Sequence, residues 1–372
     1  MQITDIRVRV FEVPHQHAFA PTWQPAPSRS HRITLVEVHT DEGITGYGSG
    51  GVVTSTLQAA KQVFLGKDPF AIEQHVAQLR SLAFLTGRPW PVELALWDIM
   101  GKALGQPVYR LLGGYRDRIP AYASTGELRP AAQRRDDVLR LREEGFRAVK
   151  LRFHSPRPED DLPVLAAARQ AVGGSMALMV DANQAWYLPG ADVSARWDLR
   201  TALRMVRALE EYDVSWLEEP LPAYDYDGLA ELRRRSRVPI AGGELNQGLH
   251  ELKIYLEKDC YDVYQPDATF AGGIWECRKV AAMAEARGRQ FTPHMWTNGI
   301  GMLANLHLAA SVPNCPWIEF PYDPPAWTPE VRDALLREPL RIDADGCLRV
   351  PDRPGLGIEL DEEQMARYEV TR

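Results

Sequence analysis

The chain has 372 residues, of which 45% are apolar and 25% charged, and its formal net charge is −7 with an isoelectric point near 5.8. This composition is that of a folded globular protein and argues against general nucleic-acid binding, which leaves a basic excess or patch. No run of 18 apolar residues occurs and the first residues alternate like a strand, so neither a membrane span nor a signal peptide is predicted.

The length allows one large domain or two domains of ordinary size. The cysteines are dispersed along the chain, without a CxxC pair or the spacing of a zinc site. We therefore interpret them as reduced thiols of a cytoplasmic protein; they are Cys260, Cys277, Cys315 and Cys347.

Residues 1–117 predict an α+β domain. Alternating apolar residues predict strands in ITDIRVRVFEV, RITLVEVHT and ITGYGSG, and helical apolar spacing predicts helices over 55–85 and 91–113. The loop 15–31, rich in Pro, Ser and His, is long enough to suggest a function. The GxGxxG pattern of GYGSGG (46–51) follows a DEG turn instead of opening a helix, so no dinucleotide site is predicted there.

Residues 118–322 alternate short apolar strands with amphipathic helices. This alternation predicts a parallel sheet, and eight strands at even spacing favour closure into a barrel. The predicted strands are 119–124, 148–153, 177–183, 214–220, 239–244, 262–267, 290–294 and 316–320. Residues 323–372 form a C-terminal segment with a hairpin signal at DADG and one further candidate strand in PGLGIEL.

Ionisable residues stand at the carboxyl ends of the predicted barrel strands. In such a barrel these ends line the active site at one mouth. A helix N-cap explains a single acid after a strand, but successive strands that end alike predict a functional constellation. Its members are Lys150, Arg152, Asp181, Asn183, Glu218, Glu244, Asp267, His294 and Glu319.

Three acids from neighbouring strands, Asp181, Glu218 and Glu244, cannot crowd together in the ionised state without a counter-charge. Three hard oxygen ligands suit Mg²⁺, with further coordination positions left for water or substrate. Lys150 and Arg152 are two residues apart and share one face of a strand. A carboxylate substrate held between these cations and the metal is therefore predicted.

Abstraction of the proton α to that carboxylate places a second negative charge on the group, and fixed positive charge stabilises the resulting enediolate. Two candidates for the base remain open. One is Lys150, whose pKa the neighbouring Arg152 cation would lower, and the other is His294, which Asp267 would orient. Glu319, if protonated or shared, could hydrogen-bond a carboxylate oxygen of the substrate.

These residues resemble the mandelate racemase subgroup of the enolase superfamily. The resemblance rests on the helix LALWDIMGKALGQPVYRLLGG, the strand ends DAN, WLEEP, GGE, QPD and PH, and the closing PDRPGLGIEL. It implies an α/β fold, a (β/α)7β TIM-like barrel with an α+β capping domain formed by the N-terminal part and the C-terminal tail. It places the metal ligands, the His–Asp dyad and the carboxylate-side glutamate at Asp181, Glu218 and Glu244, at His294 and Asp267, and at Glu319.

The resemblance also implies that capping-domain loops determine specificity, here 15–31 and GSGGVV (48–53). Members of this family commonly form symmetric assemblies, so a homo-oligomer is expected. The candidate substrate-binding residues are Asn183, Trp23, His17 and Trp296.

One position departs from the family pattern. Racemases of this subgroup carry Lys-x-Lys on the second barrel strand, and the second lysine is the base opposite the histidine; here that residue is Arg152. Arginine is effectively always protonated, so it is a poor base but a good clamp for a carboxylate. Two-base proton transfer is thereby weakened unless Lys150 substitutes. The muconate cycloisomerase pattern fits less well, because Asp267 stands where that subgroup has a lysine.

Dehydration needs one base for the α-proton and one acid for the departing β-hydroxyl, and His294 can serve as both on a syn path. We therefore predict a Mg²⁺-dependent dehydratase that converts an aldonate or aldarate to a 2-keto-3-deoxy acid. The alternative is a racemase, epimerase or lactone cycloisomerase acting on a related hydroxy acid. A non-catalytic binding protein is a remote alternative, since neither a metal ligand nor a base is missing from this sequence.

Overall fold

The computed structural model describes residues 1–51, 54–187 and 196–370. Its first element is a three-stranded antiparallel sheet whose strands, in spatial order, are β1 (Ile3–Phe19), β2 (Ser28–Thr40) and β3 (Thr45–Ser49). Alternation of apolar residues along the strands buries one face of this sheet, where Ile6 and Val38 belong to the same apolar cluster.

The loop predicted over 15–31 is shorter in the structure, because β1 continues to Phe19 and β2 already begins at Ser28. Pro14 is tolerated within β1 because that strand lies at the edge of the sheet. β3 is antiparallel to β2, which confirms that GYGSGG does not open a βαβ unit. Of the predicted 48–53 loop, residues 52 and 53 lie outside the described part of the chain.

The helices of the N-terminal part are α1 (Thr54–Phe64), α2 (Ile72–Thr86), α3 (Trp90–Ala103) and α4 (Val108–Leu111). The predicted 55–85 helix is thus two helices, separated by a turn in which Gly66 adopts φ +75°. Every residue of α3 from Trp90 to Gly101 is buried, because this helix packs between the antiparallel sheet and the following domain.

The second part contains, within the described residues, eight parallel strands in the spatial order β10-β9-β8-β7-β6-β5-β4-β11. The two ends of this order approach each other, since Phe291 N donates a hydrogen bond of 2.9 Å to Asn314 O in the connection that leads to β11. The strands are β4 (Arg118–Ser124), β5 (Ala148–Arg152), β6 (Ala177–Asp181), β7 (Val214–Glu218), β8 (Ile240–Gly242), β9 (Val263–Tyr264), β10 (Gln290–Phe291) and β11 (Ile318–Pro321).

Each connection between consecutive barrel strands carries an α-helix, which confirms the predicted (β/α)7β alternation. Local capping starts two of them: the side chains of Asp198 and Asp225 accept hydrogen bonds from the backbone at Thr201 and Gly228. The helices are α5 (Ala131–Glu143), α6 (Leu162–Val172), α7 (Leu199–Leu209), α8 (Tyr226–Arg235), α9 (Gly248–Glu257), α10 (Gly273–Glu285) and α11 (Gly299–Ala310).

The C-terminal segment contains α12 (Pro329–Arg332), β12 (Cys347–Arg349) and α13 (Glu362–Tyr368). The DADG turn leads into β12, which pairs antiparallel with β4. The strand predicted in PGLGIEL is wrong: isolated bridges form at Gly355 and at Leu360, and Gly355 and Gly357 have positive φ angles that a strand does not allow. The chain then returns to the N-terminal sheet, where Val370 N donates a hydrogen bond of 2.8 Å to Val10 O.

Two buried acids of α3 attach the N-terminal domain to the rest of the chain. Glu93 accepts hydrogen bonds from Ile274 N (2.8 Å) and Trp275 N (2.9 Å) in the first turn of α10. Asp98 accepts from Leu356 N (2.8 Å) in the C-terminal segment. The predicted architecture, a barrel capped by the N-terminal part together with the C-terminal tail, is therefore confirmed; the boundaries at 117/118 and 322/323 stay predictions.

No helix in the described residues is long and apolar enough to cross a membrane. The four cysteines are free thiols, as predicted, and three of them are buried.

The glycines of GYGSGG allow β3 to lie directly on α3. A Cβ atom on Gly48 would overlap the carbonyl oxygen of Pro91. We expect Gly48→Ala to lower the free energy of unfolding by about 3 kcal/mol, because the helix must move to admit the methyl group. Urea denaturation followed by circular dichroism measures this loss. Gly174→Ala is the matched control, since a Cβ there meets nothing within 4 Å; an equal loss in both variants would contradict the explanation.

Candidate active site

The predicted metal ligands lie together at the carboxyl ends of β6, β7 and β8. Asp181 and Glu218 are paired neighbours in the sheet register, and Glu244 follows β8 by two residues. One carboxylate oxygen of each lies within 4.8 Å of the others, and all three side chains are buried. The barrel thus brings together three oxygen donors that are far apart in the sequence.

These donors suit a divalent cation. Burial, opposed in part by Lys150, raises the pKa of Glu218 above its ordinary value, and burial likewise raises the pKa of Glu244 against the pull of His294. Crowded buried carboxylates are stable in the ionised state only with a positive counter-charge, and an all-oxygen set of three matches the ligand preference of Mg²⁺. The residues present therefore fit the predicted Mg²⁺.

Barrel side chains hold Glu218 and Asp181 in place. Glu218 Oε2 accepts hydrogen bonds from Trp216 Nε1 at 3.0 Å and from Gln265 Nε2 at 2.8 Å. Asp181 Oδ1 accepts from the backbone N of Asn183 at 2.8 Å. The second oxygens pair with cations, Glu218 Oε1 with Lys150 and Asp181 Oδ2 with Arg152, so both carboxylates are fixed in position.

Lys150 lies fully buried in the middle of β5 and contacts three carboxylates. Its Nζ is 2.5 Å from Glu218 Oε1, 2.8 Å from Glu319 Oε1 and 3.6 Å from Asp181 Oδ2. Burial opposes its charge, but these carboxylates outweigh burial and raise the pKa of Lys150. The predicted lowering of this pKa by Arg152 is therefore wrong, since three nearby anions act against one nearby cation. In this arrangement the charged form of Lys150 is the favoured one.

An ion pair and several hydrogen bonds fix the guanidinium group of Arg152. It forms an ion pair with Asp181, and its Nε donates to Thr125 O at 2.5 Å. The other guanidinium nitrogens donate to Asn183 Oδ1 at 3.2 Å and to Ser124 Oγ at 3.3 Å. With its donors engaged and its charge permanent, Arg152 positions Asp181 and Asn183.

His294 and Asp267 form the predicted dyad, with His294 Nδ1 2.9 Å from Asp267 Oδ2. Asp267 Oδ1 accepts from Thr269 and from Asn305 Nδ2 (2.8 Å), which fixes the carboxylate. The other ring nitrogen, Nε2, lies 3.6 Å from Glu244 Oε2 and faces the cluster. Burial disfavours the imidazolium, but the carboxylates of Glu244, Asp267 and Glu319 outweigh it and raise the pKa of His294 to about 9.

Glu319 lies at the end of β11, opposite the metal cluster across Lys150. Its Oε2 accepts a hydrogen bond from Met295 N at 2.7 Å. Burial favours the neutral acid, but Lys150 and His294 hold the pKa of Glu319 below its ordinary value. The suggested protonated form is therefore not the favoured one, and Glu319 acts here as an anion that fixes Lys150.

Two of the predicted substrate-binding residues, Trp23 and Trp296, lie beside the Arg152 guanidinium. The ring of Trp23 lies 4.7 Å from the Arg152 guanidinium carbon, and the ring of Trp296 lies 5.6 Å from it. Asn183 accepts a hydrogen bond from Thr22 in the capping domain at 2.9 Å, so it also belongs to this side of the site. The side chain of His17 is exposed on β1, and its part in substrate binding stays a prediction.

Sequence reasoning missed several supporting residues. Gln265 stands two positions before Asp267 in the predicted strand 262–267, so alternation along that strand could have identified it. Asn305 lies on α11 and Ser124 carries no charge, and neither leaves a signal in the sequence. Glu219 is a further buried acid with φ +45°, whose pKa is raised by burial and by Glu244.

Two family models match the chain. Residues 5–113 match the model described as Mandelate racemase / muconate lactonizing enzyme, N-terminal domain, and residues 133–364 match Enolase C-terminal domain-like. The two matches correspond to the capping domain and to most of the barrel with the C-terminal segment.

Individual relatives span nearly the whole chain. An L-talarate/galactarate dehydratase of Salmonella typhimurium is 32% identical, covering 92% of this chain and 84% of that protein. A D-galactarolactone cycloisomerase of Agrobacterium fabrum is 30% identical over 99% of each chain. A crystal structure of a racemase from Streptomyces coelicolor A3(2) with bound magnesium superposes with a TM-score of 0.84 at 28% identity, covering 99% of this chain and 100% of that one.

The family models cover both domains, and the strand-end residues that the barrel brings together are those on which the resemblance rests. The chain belongs to the mandelate racemase / muconate lactonizing enzyme family of the enolase superfamily.

Proposed function

We propose that this protein is a Mg²⁺-dependent dehydratase of a sugar acid, an aldonate or aldarate, that releases a 2-keto-3-deoxy acid. Relatives at 30% identity or more include dehydratases of sugar acids, and the protein's acidic cluster suits Mg²⁺. We further propose that the protein is cytoplasmic and forms a homo-oligomer. Light scattering of the purified protein would test the oligomeric state.

The single observation that carries the proposal is the asymmetry of the acid/base groups. Lys150 is held by Glu218, Glu319 and Asp181, and Arg152 cannot release a proton. Only the His294–Asp267 dyad, on the opposite side of the site, has a ring nitrogen facing the cluster. Within the described residues the site thus has one usable base, which suffices for elimination but not for two-base proton transfer.

In the proposed elimination, the metal ligands, Lys150 and His294 have separate roles. Mg²⁺ held by Asp181, Glu218 and Glu244 would act as a Lewis acid toward the substrate carboxylate. Lys150 places a fixed positive charge beside the same carboxylate, where negative charge grows as the α-proton leaves. His294 is the group that removes this proton. Its pKa is raised chiefly by Glu244, a ligand whose charge a bound cation offsets, so the neutral imidazole becomes more accessible in the loaded site.

The elimination balances with His294 alone. The Cα–H bond breaks and its proton passes to Nε2; the electron pair forms a carbon–carbon double bond as the Cβ–O bond breaks. The same imidazolium returns the proton to the departing hydroxyl, which leaves as water. The remaining enol tautomerises to the 2-keto-3-deoxy acid.

A second candidate, cycloisomerisation, uses the same base with a ring oxygen in place of the departing hydroxyl. It is supported by the D-galactarolactone cycloisomerase relative, whose similarity extends over 99% of both chains. Racemisation is less well supported, because Arg152 occupies the position of the second base.

The assay that tests the proposal incubates the protein and Mg²⁺ with a library of aldonic and aldaric acids and their lactones in D₂O. Keto-acid formation identifies a dehydratase and its substrate. Ring opening or closure without loss of water identifies a cycloisomerase. Exchange of the α-proton in unconverted acid identifies an epimerase and contradicts the one-base interpretation.

We expect His294→Asn to reduce kcat by about 10³-fold or more, because general acid–base catalysis by one residue contributes on this scale. Mg²⁺ affinity, measured by calorimetry, should stay within a few-fold of the unsubstituted protein. His39→Asn, which changes a histidine of β2 far from the barrel mouth, serves as the control and should keep full activity. Near-normal turnover in His294→Asn would exclude the assigned role.

Arg152→Lys should lower kcat/KM by about tenfold to a hundredfold while Mg²⁺ affinity changes less. Lysine keeps a positive charge beside Asp181 but loses the hydrogen bonds to Thr125, Ser124 and Asn183 that hold this side of the site. Steady-state kinetics and calorimetry separate the two effects. Loss of Mg²⁺ binding with unchanged kinetics at saturating metal would show that Arg152 acts only on the metal ligand.

Mg²⁺ should stabilise the protein against heat, since a ligand at 100 times its dissociation constant adds about 2.7 kcal/mol to the free energy of unfolding. EDTA should reverse the rise in Tm, and Glu244→Gln should remove most of it. The control is Glu276→Gln, which changes a buried acid paired with Arg80 outside the cluster. Its Tm should be lower at all metal concentrations, with the Mg²⁺-dependent rise retained; an equal rise in both variants would place the ion elsewhere.

A further inference from the structure

Arg88 lies in the connection between α2 and α3, where the capping domain meets the barrel mouth. Its Nη2 donates a hydrogen bond of 3.0 Å to the carbonyl oxygen of Leu245, the residue after the metal-cluster acid Glu244. Its guanidinium carbon stands 5.2 Å from the centroid of the Phe270 ring. A capping-domain cation is therefore seated on the barrel rim next to β8 and β9.

This arginine is half-buried without an anionic partner. In the part of the chain that the structure describes, its hydrogen bond goes to a backbone carbonyl, and no carboxylate forms an ion pair with it. Burial lowers the pKa of Arg88, and the more distant acids Asp267, Glu251 and Glu244 only partly offset this effect. A cation taken partly out of water and left unpaired is costly unless an anion completes its surroundings.

The position of Arg88 relative to the reacting groups suits the far end of a substrate. The Phe270 ring lies 6.4 Å from the His294 ring, so Phe270 links Arg88 to the catalytic histidine. In the strand order, β9 is four strands from β5, which places the Arg88 side of the mouth across from Arg152 and Trp23. Through this shared contact with Phe270, Arg88 and His294 lie on the same side of the barrel mouth.

The other cations of the site are not available for a second anion. Lys150 contacts Glu218 and Glu319, and Arg152 pairs with Asp181. A substrate with a second carboxylate would meet acidic side chains at the rim, including Glu244 and Glu251, and needs a positive group there.

We propose that Arg88 is a specificity-determining residue that binds the distal carboxylate of a dicarboxylic sugar acid, so that the substrate is an aldarate in preference to an aldonate. This inference rests on the proposed function and names the substrate class of the same site. A bidentate guanidinium–carboxylate pair distinguishes a terminal carboxylate from a terminal hydroxymethyl group, which carries no charge.

The test compares matched acids that differ only at the terminal carbon: galactarate with galactonate, and glucarate with gluconate. Binding is measured by calorimetry with Mg²⁺ in the inactive His294→Asn protein, so that affinity does not depend on turnover. We expect the aldarate of one pair to bind about tenfold to a hundredfold more tightly than its aldonate, as a charged hydrogen-bonded pair allows. Adding Arg88→Gln should remove this difference, and Arg88→Lys should restore part of it.

Arg116→Gln is the matched control, because Arg116 also combines one backbone carbonyl (Pro313 O, 3.1 Å) with one aromatic ring (Tyr115, 4.6 Å) but lies just before β4, at the other end of the barrel. The preference should be unchanged in this variant. In the catalytically competent protein, the ratio of kcat/KM for aldarate over aldonate should fall by the same factor in Arg88→Gln.

Equal binding of aldarate and aldonate in every pair that binds, or a preference that survives Arg88→Gln, would overturn the assignment of Arg88. Turnover of aldonates alone would also overturn it while leaving the proposed dehydratase function intact. If no acid of either pair binds, the comparison is repeated with the matched pairs of the full library; if no aldonic or aldaric acid of the library binds or is turned over, the proposed function fails together with this inference.

Discussion

The crowding of negative charge at one mouth of the barrel is the constraint on which the site depends. Six buried acidic side chains, those of Asp181, Glu218, Glu219, Glu244, Asp267 and Glu319, surround two buried cations, Lys150 and Arg152, and the buried imidazole of His294. In a low-dielectric interior such charges repel strongly unless each has a partner. Lys150 forms ion pairs with Glu319 and with one oxygen of Glu218, and Arg152 forms an ion pair with Asp181. Hydrogen bonds fix Asp267. The three oxygen donors Asp181, Glu218 and Glu244 still lack enough positive charge nearby, and a bound divalent cation would supply it.

The replacement of a lysine by arginine at position 152 changes the chemistry more than the charge. Arginine retains the cation that the carboxylates need but loses the ability to exchange a proton at neutral pH. Its planar head also fits between polar and aromatic neighbours, with Trp23 and Trp296 over the guanidinium and Asp181 at its edge. In the function we propose, Arg152 exchanges no proton, and His294 on the opposite side of the site carries the acid–base chemistry.

The capping domain and the barrel contribute different things to the site. The barrel supplies the charges, because each parallel strand ends at the same mouth. The capping domain supplies neutral and aromatic groups such as Thr22 and Trp23 together with the rim cation Arg88, and its buried Glu93 attaches it to the first turn of α10. Specificity can therefore change through the rim while the charge arrangement below it stays the same.

The sequence alone determined the barrel and the identity of the main charged residues. Parallel strands are buried on both faces, so their apolar runs stand out, and an acid or base at the end of each run is conspicuous. Sequence periodicity predicted the wrong local structure in two places. Pairing of β1 with β2 extends both strands into the predicted loop 15–31, and glycines with positive φ prevent the strand predicted near Gly355.

Only the tertiary structure decided the directions in which the pKa values of Lys150 and Glu319 shift, the supporting contacts of Asn305 and Ser124, and the position of Arg88. Each depends on distances between residues that are remote in the chain. An electrostatic interaction is a property of separation and burial, which no local pattern encodes.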